Sequence, residues 1–489
     1  MTPRLLLAVG CAAVAAGCAV GPDYHRPPTD AGQGYTPAPL PAQTAAVAVA
    51  GGAAQHWNAA QDIPAQWWAA FHSPQIDALV KEAFAANPNV QAAQAALRQA
   101  NDLLAAQRGQ FFPTVQAGFA PSRQKNPVGT LAPTLASGAP IYNLYTAQLS
   151  VGYTLDVFGG NRRQVEALAA QAQAQRFALE ATYLTLSTNV VLAAVQEAAL
   201  RAQIAATERM VQIEREQLAI MTQEVELGAI AGSDAAAQEV LVGQTDAQLP
   251  PLRKQLALQR DALTALLGRL PRQAPDETFT LEGIELPAEL PLSLPSTLVE
   301  QRPDVRAAEE QLHAASAQVG VAIADMLPQL TLSASAGGTA TAVGQMFAAG
   351  NKFWTVGASL SQTLFAGGAL YHRERAAVDA LDAAGAQYRA AVIQAFQNVA
   401  DTLQALVFDA DALKADVEAE QAAERGLGYA RKSQELGAAS FLALLNAEQA
   451  YQQAVVNRVQ AQANRYADTA ALFQALGGGW WNRPPDPQR

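Results

Sequence analysis

Two hydrophobic patterns divide this chain. In short stretches apolar and polar residues alternate, as in Leu149-Ser150-Val151-Gly152-Tyr153, a period of two that is typical of β-strands with one apolar and one polar face. Other segments are rich in Ala, Gln, Glu and Leu, which favour helix. Segment 161–227 has neither Gly nor Pro, so it predicts one continuous helix of about 100 Å. Segment 369–436 lacks proline and predicts a second long helix.

The alternating stretches carry no charge. They are centred on 115–119, 149–155, 330–336 and 354–360, inside the uncharged windows 109–122, 126–155, 326–351 and 353–372. Their polar residues are small, as expected for a face that lines a wide, water-filled lumen. The apolar face would pack against a protein core or contact lipid. The alternative is a soluble β-sandwich with one face on the helices. If the strands span a membrane, the chain must oligomerise, because a closed barrel needs about eight strands and lipid does not tolerate open edges.

Four landmarks occur twice in the same order, which predicts two homologous halves. Asn87-Pro88-Asn89-Val90 corresponds to Arg302-Pro303-Asp304-Val305, and Phe112-Pro113 to Leu327-Pro328, at an offset of 215 residues. Glu226-Leu227-Gly228-Ala229 corresponds to Glu435-Leu436-Gly437-Ala438, and Leu267-Gly268 to Leu476-Gly477, at an offset of 209 residues.

Each half should therefore run helix, strand, strand, very long helix, turn and helix. The turns should fall at Gly228 and Gly437, each followed by a Ser or Asp N-cap, with Asp234 and Ser440 as the candidates. Pro250-Pro251 should interrupt the returning helix of the first half.

The N-terminus has the features of an export signal. Arg4 precedes a short apolar core, 5–16, that is too short to span a bilayer. Cys18 follows Ala15-Ala16-Gly17, small residues like those of a bacterial lipoprotein processing site, so we expect a lipid on its thiol. The alternative is ordinary signal cleavage that leaves Cys18 as a free thiol. Residues 19–55 are rich in Pro, Ala and Gly, which predicts an extended tether.

These observations predict six segments. They are a signal peptide at 1–17, a lipidated N-terminal tether at 18–74, a first repeat at 75–271, a Pro-rich connector at 272–295, a second repeat at 296–478 and a C-terminal tail at 479–489.

Composition excludes several classes of protein. Of 489 residues, 50% are hydrophobic and 15% charged, so the chain is not disordered throughout. A net charge of −11 argues against a nucleic-acid partner. Two cysteines exclude a disulfide scaffold, and the five histidines show no ligand spacing. Gly337-Gly338 and Gly367-Gly368 lack a following Lys-Ser/Thr and predict turns. We expect no catalytic residue, no cofactor and no metal site.

Motifs spread over nearly the whole chain resemble one family. They are Cys18 to Tyr24 with Arg26-Pro27, Trp67-Trp68 with Phe71, Leu155 to Gly160, Leu249 to Gly268, Gln301 to Arg306 and Ala324 to Pro328. The chain resembles the TolC-like outer-membrane efflux proteins, and within them the lipoprotein branch that serves resistance–nodulation–division pumps.

The resemblance implies a mainly α fold with membrane β. Three identical chains would form a 12-stranded β-barrel, four strands from each, continuous with a long α-helical periplasmic barrel. The implied partners are a periplasmic adaptor, the inner-membrane pump and outer-membrane lipid.

The resemblance also implies a periplasmic gate just after the helix turn of the second half. Leu442 matches a hydrophobic constriction position, whereas Ala443 and Asn446 occupy positions where the family often carries aspartates. Asn446 could hold a closed mouth by hydrogen bonds but not by charge. The gate candidates are Leu442, Asn446, Asp234 (the repeat equivalent of Ala443) and Glu435, with Gly228 and Gly437 at the helix-turn tips.

The sequence thus favours a passive exit duct in the outer membrane, for drugs or other small toxic solutes, driven by an inner-membrane pump. An exit duct for protein or metal-ion export is an alternative, although the chain lacks the Met or His clusters expected for copper or silver. A non-porous coiled-coil scaffold would explain the long helices but not the uncharged alternating windows.

Overall fold

The computed structural model describes residues 19–28, 34–125, 141–293 and 295–483. The predicted lipidation site at Cys18 lies outside these residues. The chain divides into two compact units. The first contains the described residues up to Arg26 together with Leu97–Ala174 and Ala308–Tyr388. The second contains Pro27–Ala96, Gln175–Ala307 and the described residues from Arg389 onward.

The elements follow the predicted order in both halves. The helices are α1 (Pro74–Ala86), α2 (Pro88–Arg108), α3 (Gly160–Glu226), α4 (Gly232–Asp246), α5 (Leu249–Leu266), α6 (Pro295–Gln301), α7 (Pro303–Ala324), α8 (Ala369–Glu435) and α9 (Phe441–Ala475). The strands are β1 (His56–Asn58), β2 (Thr114–Lys125), β3 (Ile141–Leu155), β4 (Glu289–Pro291), β5 (Gln329–Ala340) and β6 (Lys352–Ser361). The helix, strand, strand, long helix, turn and helix predicted for each half are confirmed.

The two long helices, α3 and α8, have 67 residues each. In the first half the returning helix is interrupted after Asp246, because Pro250 and Pro251 lack the N–H groups that a helix interior needs and instead open α5. Helix α9 contains no proline and runs unbroken for 35 residues. One window of α3 is apolar enough to cross a membrane, but 61% of it is buried inside the protein, which is typical of a core helix.

Four strands form one antiparallel sheet in the first unit, in the order β2-β3-β5-β6. The hairpins of the two halves join through β3 and β5, where Leu149 lies opposite Ala336. All four predicted stretches are strands, and β2 continues to Lys125, beyond the uncharged window 109–122. The predicted turn at Gly337-Gly338 is wrong. Both glycines lie inside β5, and a Cβ at Gly337 would collide with the backbone of β3.

The second unit buries aromatic residues from the N-terminal region. Trp67 is almost fully buried and stacks on Phe473 of α9, with the ring centroids 5.4 Å apart. Strands β1 and β4 form a small parallel ladder. The segment predicted as an extended tether contains no helix in its described part, yet it packs firmly, since Thr44 and Gln55 are buried.

An equivalent contact occurs in each half, but a different side chain makes it. Asn87, between α1 and α2, donates from Nδ2 to the carbonyl oxygen of Leu266 at the end of α5, over 2.8 Å. Its counterpart Arg302, between α6 and α7, donates from Nη1 to the carbonyl oxygen of Ala475 at the end of α9, over 3.1 Å. The duplicated landmarks therefore mark the point where the short helices of each half meet the end of its returning helix, and each contact satisfies a terminal helix carbonyl.

Candidate functional site

The register of the sheet separates two chemically different faces. Directly opposed residues in antiparallel strands share a face. One row across the four strands reads Val115, Val151, Ala334 and Val356; the adjacent row reads Gln116, Ser150, Ser335 and Thr355. The alternation predicted separately for each strand therefore adds up to one apolar face and one polar face across the sheet.

The apolar face of the sheet is uncovered. Val115, Phe119, Trp354 and Val356 are all exposed, Trp354 by 77%. A sandwich would bury this face against helices, so the soluble β-sandwich alternative does not fit. The polar face carries hydroxyl pairs such as Thr146 with Thr339, whose Oγ1 atoms are 3.1 Å apart. A contiguous apolar surface of this kind indicates an interaction site or a lipid contact.

The two helix turns have the same backbone structure. Gly228 and Gly437 have φ of +71° and +68°, a conformation that glycine adopts without strain. In each turn the N–H of the next residue donates to the carbonyl five positions earlier, Glu224 in the first turn and Ser433 in the second, over 2.8 Å. This is the hydrogen bond of a Schellman C-cap. A Cβ at either glycine would meet no atom within 4 Å, so backbone conformation, not packing, requires glycine here.

The predicted N-caps are only partly correct. The cap positions of α4 and α9 are Ala231 and Ser440, and neither side chain makes a capping hydrogen bond. Asp234 is not the cap, because α4 already begins at Gly232; it lies in the first helical turn. A carboxylate there still interacts favourably with the positive end of the helix dipole.

The gate candidates lie beside these turns. Leu442 is the second residue of α9 and is 62% exposed, and Asn446, one turn later, is also exposed. Glu435 ends α8 and forms an exposed ion pair with Lys432 over 3.1 Å. Within the described residues no side-chain hydrogen bond joins Asp234 to Asn446. The placement of these side chains at a mouth stays a prediction.

Two buried carboxylates of the second unit were missed by the sequence reasoning. Glu214 on α3 is 1% exposed and Glu448 on α9 is fully buried. Glu214 Oε1 accepts a hydrogen bond from Thr245 Oγ1 of α4 over 3.0 Å, and Glu448 Oε1 lies 3.5 Å from Arg431 Nη2 of α8. Burial, together with the nearby charge of Glu448, raises the pKa of Glu214 to about 7. Burial also raises the pKa of Glu448.

A sequence signal for these carboxylates exists. Glu448 follows Leu444 at helical spacing, and Glu214 follows Met210 and Val211 in the same way. These apolar neighbours are buried. The same spacing does not suffice by itself, because Ala235 and Ala236 precede Glu239 in the same way and Glu239 is exposed.

The residues that follow the predicted lipid site dock at the start of α3, within the first unit. The N–H of Val20 donates to the carbonyl oxygen of Phe158 over 3.1 Å. Arg163, which is buried, donates to the carbonyl oxygen of Val20 over 3.0 Å and to Asp23 Oδ1 over 2.7 Å. The hydrogen bond from Arg163 lowers the pKa of Asp23. Val20 and Asp23, which follow the predicted lipid site, are therefore held next to the strand–helix junction.

In the described part of the chain, no group of three or more His, Cys, Asp and Glu side chains could hold a metal ion.

A cavity of about 970 Å³ lies among α3, α8 and α9 in the second unit. Charged groups line it, and Arg458 Nε pairs with Glu420 Oε2 over 2.8 Å.

Comparison with known proteins gives a consistent result. A family model described as outer membrane efflux protein matches residues 79–269 and again 294–478, one match in each half. The pyoverdine export outer membrane protein OpmQ of Pseudomonas putida is 30% identical over 425 residues, which cover 86% of this chain and 90% of OpmQ. The toluene efflux pump outer membrane protein TtgC, also of Pseudomonas putida, is 28% identical over 490 residues, 99% of this chain and 97% of TtgC.

A solved structure agrees with these relatives. The structure of the outer-membrane channel OprN matches with a TM-score of 0.84 at 27% identity, over 95% of this chain and 100% of that chain. At this coverage the match extends over both halves of the chain.

Proposed function

This chain belongs to the outer membrane efflux protein family, and from that premise we propose that three copies of it close one barrel and one helical tunnel. The chain is the outer-membrane exit duct of an efflux system. The single observation that carries the trimer is the four-stranded sheet with one apolar and one polar face. Such a sheet is a section of a barrel wall that one chain cannot close.

The free edges of the sheet support the oligomer. Within the described residues, β2 pairs only with β3, and β6 only with β5. Each outer strand therefore has a row of N–H and C=O groups without strand partners in the described part of its own chain. In lipid these groups must be paired, which a second copy achieves when its β2 adds to β6. Three copies give 12 strands, above the practical minimum of about eight for a barrel.

The two faces then have distinct roles. Val115, Trp354 and Val356 face the hydrocarbon, and Ser150, Ser335 and Thr355 line a wet lumen. Small hydroxyl side chains neither obstruct a wide pore nor select strongly among solutes. The duct is passive and has no catalytic role. Its energy comes from an inner-membrane resistance–nodulation–division pump, coupled through a periplasmic adaptor, and a lipid on Cys18 adds a second anchor.

The cargo is a class of compounds rather than one compound. The two relatives described above are named for pyoverdine and for toluene, yet they are almost equally similar to this chain. The outer-membrane component therefore does not by itself fix the cargo. We propose small toxic solutes, selected by the pump. Metal-ion export is disfavoured because only five methionines and five histidines occur in the whole chain. A non-porous scaffold leaves the uncovered apolar face without an explanation.

Growth of a deletion strain on a panel of toxic compounds tests this function. We expect greater sensitivity to several chemically unrelated compounds, restored by the gene in trans. Deletion of the cognate pump should give the same panel of sensitivities. An unchanged panel, together with absence of conductance from the purified protein in planar bilayers, would contradict the exit-duct proposal.

A further inference from the structure

The β-hairpins of the two halves have the same register. Thr114 opens β2 opposite Gly152 of β3, and Gln329 opens β5 opposite Ser361 of β6. Thr114 and Gln329 are separated by 215 residues, the offset of the landmarks that precede these strands. Gly152 and Ser361 are separated by 209 residues, the offset of the landmarks that follow the strands. Strand β2 therefore corresponds to β5, and β3 to β6, residue by residue.

Strand β3 is longer than its pairing with β2. Beyond the last pair with β2 it continues for three residues to Leu155, and these residues pair with β5, where Leu155 lies opposite Leu330. In the second half β6 ends at Ser361, and the corresponding residues, 362–364, have no neighbouring strand in the described part of the chain. Leu364 is 91% exposed, whereas its counterpart Leu155 is half-buried. The second half thus lacks the strand that β5 supplies to the first.

A second copy of the chain carries the missing strand. Because β2 corresponds to β5, the β2 of a second copy can lie beside β6 as β5 lies beside β3. The register of β3 with β5, transferred by the two offsets, puts Leu364 opposite Val115 and Ser361 opposite Gly118 of that copy. By strand alternation the first pair lies on the apolar face and the second on the polar face. The transferred register therefore keeps both faces continuous, which a slip of one residue would not.

The junctions between strand and long helix give a second, independent indication of the same contact. In the first half Gly160 opens α3 beside Ala324, the last residue of α7. A Cβ at Gly160 would lie 3.0 Å from the Cβ of Ala324, closer than Cβ atoms normally pack. The corresponding residues are Ala369, which opens α8, and Gly109 of the second copy. Glycine and alanine are exchanged between the two sides, so each contact contains a single Cβ.

Gly109 has no explanation within the described part of its own chain. It opens a short 3₁₀ helix, Gly109–Phe111, and its φ is not positive, so the backbone conformation does not require glycine. A Cβ at this position would meet no atom within 4 Å, so packing does not require glycine either. A second copy that brings Ala369 against this position does require it.

Apolar side chains flank the contact on both sides. Phe112, which shortly precedes β2, is 70% exposed, and Phe365, which follows Leu364, is 89% exposed. Both lie at the end of the sheet where the helices begin. Burial of such side chains between two copies removes apolar surface from water and favours association.

We propose that residues 362–364 extend β6 by pairing with β2 of a second copy, with Leu364 opposite Val115 and Ala369 against Gly109 of that copy. The proposal rests on the trimeric duct and deepens it, because it assigns the register and the helix contact that join neighbouring copies. The occupant of the exposed strand–helix junction is a second copy and not lipid.

Disulfide formation tests the register. Ser361→Cys with Gly118→Cys places two thiols opposite each other on the polar face, with Cβ atoms about 4.5–5.5 Å apart. Within one chain β2 and β6 are the two edges of a four-stranded sheet, about 14 Å apart, so only neighbouring copies can form the bond. Oxidation of the full-length protein in outer-membrane vesicles with copper phenanthroline should give covalent trimers on non-reducing gels. Each single-cysteine variant should give none.

Ser361→Cys with Gln116→Cys is the matched control. Gln116 lies on the same face as Gly118 but one pair farther along β2. We expect cross-linking about tenfold slower than with Gly118→Cys, because diagonal neighbours lie about 7–8 Å apart. Faster cross-linking through Gln116, or no cross-link in either variant while light scattering still shows trimers, would refute the register and leave the duct intact. Absence of trimers in the wild-type protein would instead contradict the trimeric duct itself.

The exchange of glycine and alanine is tested by a rescue experiment. Gly109→Ala adds a second Cβ to the contact and should lower the temperature at which the trimer dissociates in detergent. Ala369→Gly, added to Gly109→Ala, should restore most of the loss because the contact again contains one Cβ. Gly344→Ala is the control, since Gly344 also lies in a short 3₁₀ helix with no atom within 4 Å of its Cβ, but between β5 and β6. An equal loss in Gly344→Ala, no loss in Gly109→Ala, or no rescue would overturn the contact.

Discussion

Asp23 Oδ1 accepts a hydrogen bond of 2.7 Å from Nη2 of Arg163, the fourth residue of α3. Asp23 itself is exposed, while the Arg163 side chain is only 5% exposed. Arg163 also donates to Glu166 and to the carbonyl oxygen of Val20. The guanidinium of Arg163 thus binds the residues that follow the predicted lipid site to the start of α3.

Arg163→Met should release the N-terminal segment. The substitution keeps an apolar side chain of similar length but removes every donor, at a cost of about 2 kcal/mol in the free energy of unfolding. We expect faster cleavage by proteinase K within 19–28 in detergent-solubilised protein. Arg201→Met is the control, because Arg201 pairs with Glu197 farther along α3. Equal cleavage rates in the two variants would contradict the docking role of Arg163.

Cys18→Ser should remove a lipid. The intact mass of the mature protein should fall by the mass of the acyl groups, while the protein stays in the outer membrane because the sheet anchors it independently. Cys11→Ser is the control, since Cys11 lies in the predicted signal core and should be absent from the mature chain. An unmodified thiol at position 18 in wild-type protein would instead support ordinary signal cleavage.

Val356→Lys and Thr355→Lys test the two faces of the sheet. These neighbours point to opposite faces, so the same charge should meet lipid at 356 and water at 355. A lysine on the lipid face costs about 2–4 kcal/mol near the bilayer centre, whereas one on the lumen face is solvated. We expect a lower level of folded Val356→Lys in outer membranes and a normal level of Thr355→Lys. If Thr355→Lys were the variant with the lower level, the face that contains Thr355 would be the lipid-facing one.

Gly228→Ala and Gly437→Ala should each destabilise the protein by about 1 kcal/mol, because alanine is strained at positive φ. Neither variant creates a clash, so both should still assemble. Gly243→Ala, in the interior of α4 with open space around its Cα, should stabilise the helix by about 0.5–1 kcal/mol. Thermal unfolding in detergent measures all three variants. A destabilised Gly243→Ala would show that more than backbone conformation is involved.

Leu442→Ala with Asn446→Ala should loosen the mouth and raise conductance in planar bilayers. The change would remove the leucine of the predicted hydrophobic constriction and an amide that, in the predicted gate, hydrogen-bonds across a closed mouth. Leu227→Ala is the control, because Leu227 is also an exposed leucine beside a helix turn but lies before α4. Unchanged conductance in the double variant would remove Leu442 and Asn446 from the gate.

Much of the architecture could be predicted because its causes are local. Alternating apolar and polar residues predict the two faces of a strand. The absence of Gly and Pro from segment 161–227 predicts a single helix. The positions of Gly228 and Gly437 follow from the same sequence within each half. Asp234 shows the limit of such reasoning. Its side chain is of a type that caps helices, but α4 begins two residues earlier, a boundary that backbone geometry decides.

The sequence by itself determined the duplication, the long helices and the alternation of the strands, since each depends on residues that are neighbours along the chain. Only the tertiary structure decided which acids are buried. Glu239 and Glu448 are the same residue type at equivalent positions of the two halves, yet Glu239 is exposed and Glu448 is buried. The burial of a side chain, and with it the pKa of a carboxylate, depends on which distant helix covers it, and no local pattern specifies that helix.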